Sequence, residues 1–468
     1  MLKKILAMML AVIMCCTLFA ACGSQAQQAQ TKPAETEKPA AAPAEPAKPA
    51  GEIIGDHVQF DTGKDMSGEL NIWFYEDGKA FIEPLFEDYQ KYRPNVKLNV
   101  TYIPWGDYWK KVPVAVSSGN GPDLFYFHNM YHNLMVDGGL MRPYSDELLN
   151  ALRQDYKNID DSAAADGNIY YVGVGAGHAV IFYNKALWAE AGLTEADFPE
   201  TWEQLRELAI SLTKKNGDKI EVAGFNYNPG SEFMYDWSYL SGRFLWSEDG
   251  SEILINNDDY KKTAQFFFDL YQKDGVCNPQ FPEYMQSFKD GTTAMLWNHP
   301  FYAGVLRRET PDLDFGVFPL PKFEGKARNW HYNNPDVSMG INSSISDEQV
   351  ALAEDLLTLF FADEKYTRAW CAAQVLAPTK ISLENDETLN ADPVIQVLSK
   401  DLENTLYLGP APAAAFQDMI QNLMDPVLKG GADLDDALEA AANKVRSTLA
   451  DLSWAPNERK CAFADEMK

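Results

Sequence analysis

The sequence predicts an α/β protein of two lobes, built on mostly parallel sheet covered by helices. Three observations carry this. Strand-like and helix-like segments alternate along the chain. Roughly 400 residues follow a low-complexity start, too many for one hydrophobic core. No later apolar run approaches membrane-spanning length.

The alternation begins at Glu69–Tyr75, a β-rich stretch of alternating polarity. Phe81–Tyr92 then has helical spacing, with Phe81, Leu85, Phe86 and Tyr89 on one face, and Arg93-Pro94-Asn95 stops it. Val96–Ile103 reads as strand, Tyr108–Ser118 as helix, Gly119–Pro122 as loop and Asp123–Phe127 as strand. Further on, Val180–Tyr183 and Thr293–Trp297 read as strands, and Thr201–Lys215 and Asp258–Lys273 as helices. The final third is helical in period over Ser346–Ala362, Lys365–Ala373, Ala414–Leu428 and Leu434–Leu449. Such alternation argues for a sheet with helices on its faces.

The N-terminus reads as a targeting segment. Lys3 and Lys4 precede an apolar run to Ala21 that is too short to span a bilayer comfortably and ends in small residues. Residues 1–21 are therefore expected to be a signal peptide. Leu18-Phe19-Ala20-Ala21-Cys22 resembles the bacterial lipobox, which implies cleavage before Cys22 and lipid attachment to its sulfur. Gly23–Gly51 is rich in Ala, Pro, Glu, Lys and Gln and has almost no large apolar residue. It cannot bury enough surface to offset its ordering entropy, so 22–67 is expected to be a tether. Acidic residues outnumber basic ones, 68 to 40, which argues against a nucleic-acid partner. Cys277, Cys371 and Cys461 are too few and too widely spaced for a disulfide framework.

No catalytic signature is present: no Gly-x-Ser-x-Gly elbow, no His-Glu-x-x-His, no phosphate loop. Gly173-Val-Gly-Ala-Gly177 starts like a dinucleotide fingerprint but has His178 where the third glycine belongs, so no cofactor is expected. His128 and His132 are four apart but have no acidic or cysteine ligand close by, so no metal is expected either. The positive feature is aromatic. The chain carries 11 Trp, 22 Tyr and 25 Phe. Clusters fall at predicted strand ends: Trp73–Tyr75, Tyr102 with Trp105, Phe125–Phe127, Trp297–Tyr302 and Trp330–Tyr332. Aromatic faces stack on the C–H faces of sugar rings, and ligands of open α/β sheets sit at the carboxyl ends of the strands.

Taken in order, several segments resemble the extracellular solute-binding proteins of ATP-binding cassette importers, in the family that includes maltose-binding protein. They include Leu70–Asp77, Gly119–Phe125, Asp137–Leu140, Gly167–Val172 leading to Phe182–Lys185, and Thr201-Trp202. Phe288–Met295, Phe315–Pro321, Ala377–Thr379 and Gly430–Leu438 follow. The resemblance implies a type II periplasmic-binding-protein fold, each lobe a mixed sheet flanked by helices, with the ligand in the cleft between them. It places residues 68–174 plus 320–373 in the first lobe, 175–319 plus 374–456 in the second, and 457–468 in a tail. Crossings fall near Val174, Pro319 and Gln374, and closure around ligand is a hinge motion.

Family contacts carried over position by position make Asp77 a carboxylate for sugar hydroxyls and Phe127 and Phe301 stacking aromatics. Phe233–Trp237, with Trp237 taken as the contact, is a looser correspondence, as are Phe416 and Gln417. His178, beside the Gly177 that replaces a family carboxylate, and Trp330 complete the candidate contacts. Acidic and basic positions of the maltose site fall on Met130 and Tyr131, so maltose itself is not expected. The implied function is non-catalytic: an extracytoplasmic, lipid-anchored receptor that captures a sugar or oligosaccharide and hands it to the permease subunits of the importer. A non-sugar solute on the same scaffold, a sensor, or an anchored carbohydrate-active enzyme are the alternatives.

Overall fold

The computed structural model describes residues 51–228, 231–409, 412–450, 454, 456–461 and 463–467. The expected signal peptide and Cys22 lie outside the described residues. Along the chain, β1 (Ile53–Ile54) and β2 (Phe60–Asp61) make a short antiparallel hairpin. β3 (Ser67–Tyr75), β4 (Asn95–Ile103), β5 (Leu124–Phe125) and β6 (Met141–Arg142) follow, then β7 (Gly173–Ala176). β8 (Val180–Asn184), β9 (Lys214–Asn216), β10 (Lys219–Tyr227), β11 (Thr293–Asn298) and β12 (Phe315–Phe318) come next. The last strands are short: β13 (His331–Tyr332), β14 (Asp336–Val337), β15 (Gly340–Asn342), β16 (Ala377–Pro378) and β17 (Thr405–Leu406).

Two five-stranded sheets result, in the orders β4-β3-β5-β15-β6 and β12-β8-β11-β10-β9. Both are mixed. β3 runs parallel to β4 and β5, while β15 lies antiparallel to β5 and β6. β10 and β11 are parallel, while β8 is antiparallel to β11 and β12. Each sheet therefore holds strands that return against its parallel core, so the sheets are less parallel than alternation alone predicts. β3 shows why the first sheet forms: Leu70, Ile72 and Phe74 alternate onto a buried face. β8 is buried at every position, as befits a strand covered on both faces. The Asp of the Gly121-Pro122-Asp123 motif is a structural tie: its carboxylate accepts from the Asn71 backbone at 2.7 Å and from Gln349 Nε2 at 2.9 Å.

Two hydrophobic cores result, and the second sheet contributes to both: Val180, Phe182 and Leu296 pack into the first, Ile181, Tyr183 and Trp297 into the second. The first gathers Leu70, Ile72, Phe86, Leu124, Leu356 and Trp370. The second gathers Trp202, Trp237, Phe267 and Trp297, with Trp237 stacked on Phe267 at 5.2 Å. A three-stranded sheet, β14-β7-β16, carries the chain between them. β7 leads from the first sheet to the second, β14 leads back, and β16 leads out again. The middle passage is thus at Asp336–Val337 rather than near Pro319, because Leu320, Trp330 and Tyr332 still pack into the second core.

Both expected unstructured ends need correction. Packing begins well before residue 68. Val58 and Phe60 are buried in the first core, and Asp155 accepts from the Val58 backbone at 2.8 Å. Two apolar residues in a polar stretch suffice to pin it. At the other end, 457–468 is not a free tail. Glu458 is fully buried and accepts from the backbone N–H groups of Leu245 and Trp246 at 3.1 and 2.9 Å and from Tyr239 Oη at 2.8 Å. Cys277 and Cys371 are buried and Cys461 half-buried, and none of the three is bridged. Among the described residues no helix is long and apolar enough to cross a membrane.

Candidate functional site

A narrow cavity of about 20 Å³ opens where groups from both halves of the molecule meet. His128, Asn129 and Met130, in the turn after β5, form one side. Tyr235, Tyr332 and Phe416 form an aromatic side, and Asn334, Leu408 and Gly409 complete the lining. Tyr235 is the centre of the aromatic wall. It meets the Phe416 ring edge-on at 4.2 Å and the Tyr332 ring at 5.1 Å. The walls are held from behind: the Asp236 carboxylate accepts from the Tyr332 backbone N–H, and the Asn334 N–H donates to the Gly177 carbonyl at 2.7 Å.

Among the described residues the lining carries no carboxylate, ammonium or guanidinium. Its one titratable base, His128, is half-buried, and burial lowers its pKa to about 4. Its Nδ1 accepts from the Met130 N–H at 3.3 Å, which puts the ring proton on Nε2 as a donor. The cavity therefore presents neutral hydrogen-bonding groups and ring faces. Close to His128, Trp105 is 42% exposed, with its ring 6.1 Å from the imidazole and 5.6 Å from the Tyr75 ring. Below this aromatic group lies Asp336, on the returning strand β14. Its oxygens accept from Tyr126 Oη at 3.0 Å and Trp370 Nε1 at 2.7 Å, and burial pushes its carboxyl up to about 6.

None of the six ligand contacts expected from sequence lines this cavity. Phe127 is fully buried against Trp109 and Tyr171, so it is a core residue in this conformation. The reason is strand alternation: Phe127 turns inward and His128, the next residue, turns toward the cavity. Trp237 is fully buried too; on its helix, Ser231–Leu240, the cavity face belongs to Tyr235 two residues earlier. Trp330 is buried in the second core with the Arg328 guanidinium over its ring at 5.5 Å, while Tyr332 takes the cavity position. His178 is fully buried behind the wall, with Nδ1 3.0 Å from the Ala179 carbonyl. Asp77 is exposed in the turn after β3. Phe301 is 39% exposed where it opens the helix after β11. Phe416, a looser correspondence, does line the cavity.

His128 and His132 do not converge. His132 is buried and bonds Tyr171 Oη at 2.9 Å. Among the described residues, His178, His331 and Asp401, all buried, bring one potential ligand atom each to within 4.8 Å of the others. Their separation in sequence hides them from any local motif.

Residues 74–366 match the family model of the bacterial extracellular solute-binding proteins. The maltotriose-binding protein of Pyrococcus abyssi is 21% identical over 389 residues, which cover 82% of each chain. The diacetylchitobiose-binding protein of Streptomyces coelicolor is 24% identical over 395 residues, 80% of this chain and 89% of that one. Among solved structures, the maltose/maltodextrin-binding domain from Bdellovibrio bacteriovorus, bound to maltotriose, is similar with a TM-score of 0.69 at 22% identity. The likeness covers 82% of this chain and all of that one.

Proposed function

Because this chain belongs to the bacterial extracellular solute-binding proteins, which bind rather than catalyse, we propose that it captures a sugar or short oligosaccharide between its lobes. The lobes close on the ligand by bending at β7, β14 and β16, and the loaded protein docks on the permease of an ATP-binding cassette importer. A lipid on Cys22 holds it at the cell membrane. The observation that carries the ligand class is the cavity lining. Rings on one side and neutral donors and acceptors on the other suit a neutral polyhydroxy compound. A polyamine or a phosphate ester needs an opposing charge in a desolvated site, and the described residues of this lining hold none. Trp105, and with it Phe301 and Asp77 after their strands, extend the contact surface beyond the cavity.

Calorimetry with maltotriose, arabino-oligosaccharide, diacetylchitobiose, spermidine and glycerol 3-phosphate tests this. A neutral saccharide is expected to bind and the charged solutes to give no heat. Trp105→Ala should weaken saccharide binding roughly 5- to 150-fold, the equivalent of about 1–3 kcal/mol of lost stacking and apolar contact. Its melting temperature should move little, since the ring is 42% exposed. Binding of a charged solute alone would overturn the ligand class while leaving the family intact.

A further inference from the structure

Behind the cavity wall, three distant stretches of chain bring His178, His331 and Asp401 together. One ligand atom from each lies within 4.8 Å of the others, and all three residues are buried. The two imidazole centroids are 4.4 Å apart, and His331 Nε2 lies 3.5 Å from Asp401 Oδ2. We propose that His178, His331 and Asp401 bind a divalent transition-metal ion of the zinc class, which ties the cavity wall to the crossing strands.

The donor set is the first argument. Two imidazoles and one carboxylate suit a borderline cation such as Zn²⁺, and a fourth position remains for an oxygen. The state of the ligands is the second. His331 Nε2 has Asp401 Oδ2 at 3.5 Å and the ring has a further contact with the Asn329 backbone, but neither nitrogen of this buried ring makes a hydrogen bond of ordinary geometry. Leaving such atoms unmatched in a protein interior is unfavourable, and native folds rarely do so without a reason.

His178 sharpens the point. Its Nδ1 is 3.0 Å from the Ala179 carbonyl oxygen and its Nε2 is 3.3 Å from that of Leu398. A neutral imidazole has one N–H, so one nitrogen would face a carbonyl lone pair to lone pair, a conflict that a second proton or a cation relieves. A cation on the bare nitrogen removes that conflict. The other nitrogen then donates to a backbone carbonyl, which is how metal-bound histidines are ordinarily oriented. The Leu398 carbonyl is placed to supply the fourth oxygen.

Asp401 is set in the same manner. Its Oδ2 accepts from Asn329 Nδ2 at 2.8 Å and its Oδ1 from Asn404 Nδ2 at 2.6 Å. Two amides orient the carboxylate without neutralising it, and a buried carboxylate calls for a positive partner. Bonds of about 2.1 Å in a tetrahedral site place ligand atoms about 3.4 Å apart, so the three groups need to draw in by up to about 1.4 Å. Small side-chain torsions cover that distance. Tyr332 follows His331 directly and lines the cavity, so the ion would stiffen that wall.

The test uses the untagged, chelator-stripped protein and zinc chloride or cobalt chloride alone. One tightly held equivalent by elemental analysis, a higher melting temperature with zinc, and visible d–d absorption with cobalt are expected. Asp401→Asn keeps the shape and should weaken zinc binding at least tenfold and abolish the cobalt spectrum; His331→Gln should do the same. A cooperatively folded wild type that retains no zinc and gives no cobalt spectrum would overturn the proposal, even if both variants failed to fold. So would folded variants that bind zinc as the wild type does, since the ion would then sit on the acidic surface. Metal binding is read without any saccharide, so the outcome is independent of the ligand class.

Discussion

One carboxylate, Asp336, joins fold to site. It lies on the middle passage between the sheets and supports Tyr126, whose ring is 6.0 Å from that of Trp105. Burial raises its carboxyl from 3.8 to about 6. The folded protein therefore binds this proton more tightly than the unfolded chain does. The stability that the protonated form contributes is complete below about pH 3.8 and is lost as the pH rises through 6. Asp336→Asn cannot titrate, and it turns one donor toward Tyr126 or Trp370. Urea unfolding should show the wild type ahead of the variant by more at pH 4.5 than at pH 7.5. A gap that is flat with pH would refute the assignment. The residue scale is also where the sequence was hardest to read. The aromatic clusters at Phe125–Phe127 and Trp330–Tyr332 do lie beside the cavity. Which member faces it depends on strand parity, and a shift of one residue exchanges Phe127 for His128. The trio His178, His331 and Asp401 leaves no local trace, because only the crossings bring it together.

Elements with strong local signals were legible. The predicted helix over Asp258–Lys273 is observed at Asp258–Gln272, started by the Asn257 side chain on the N–H groups of Asp259 and Tyr260. Capping boxes at Thr201/Gln204 and Ser346/Gln349 start two more. The predicted strand Val96–Ile103 is β4 within one residue. Two-residue strands such as β13, β14 and β16 have too few positions to show a period, so the passages between the sheets had to come from resemblance. The C-terminal segment failed for a different reason: its anchor is polar. Glu458 ties three donors of another part of the second lobe, and no hydrophobic pattern announces that. Glu458→Ala leaves those donors unmatched, at about 1–3 kcal/mol each before relaxation. Chemical denaturation should therefore show a loss of at least about 2 kcal/mol, with Glu458→Gln losing less because the amide keeps an acceptor. An unchanged midpoint for Glu458→Ala would mean that the segment does not brace the lobe.

At the scale of the whole molecule, more than one core follows from length and alternation; the passages and the cleft were legible only through the resemblance. The proposed membrane attachment rests on the segment Leu18–Cys22. Cys22→Ser should move the protein from the membrane pellet to the soluble fraction on cell fractionation, with saccharide affinity unchanged. Retention of the variant in the pellet would count against a lipid at this position. Where the folded body begins then has a mechanical meaning. The hairpin β1–β2 and Phe60, with the Arg93 guanidinium over its ring at 4.3 Å, fasten that end of the chain to the first lobe. Any leash to the membrane therefore pulls on one jaw only. In the proposed closure, the second jaw is the one that the leash does not hold.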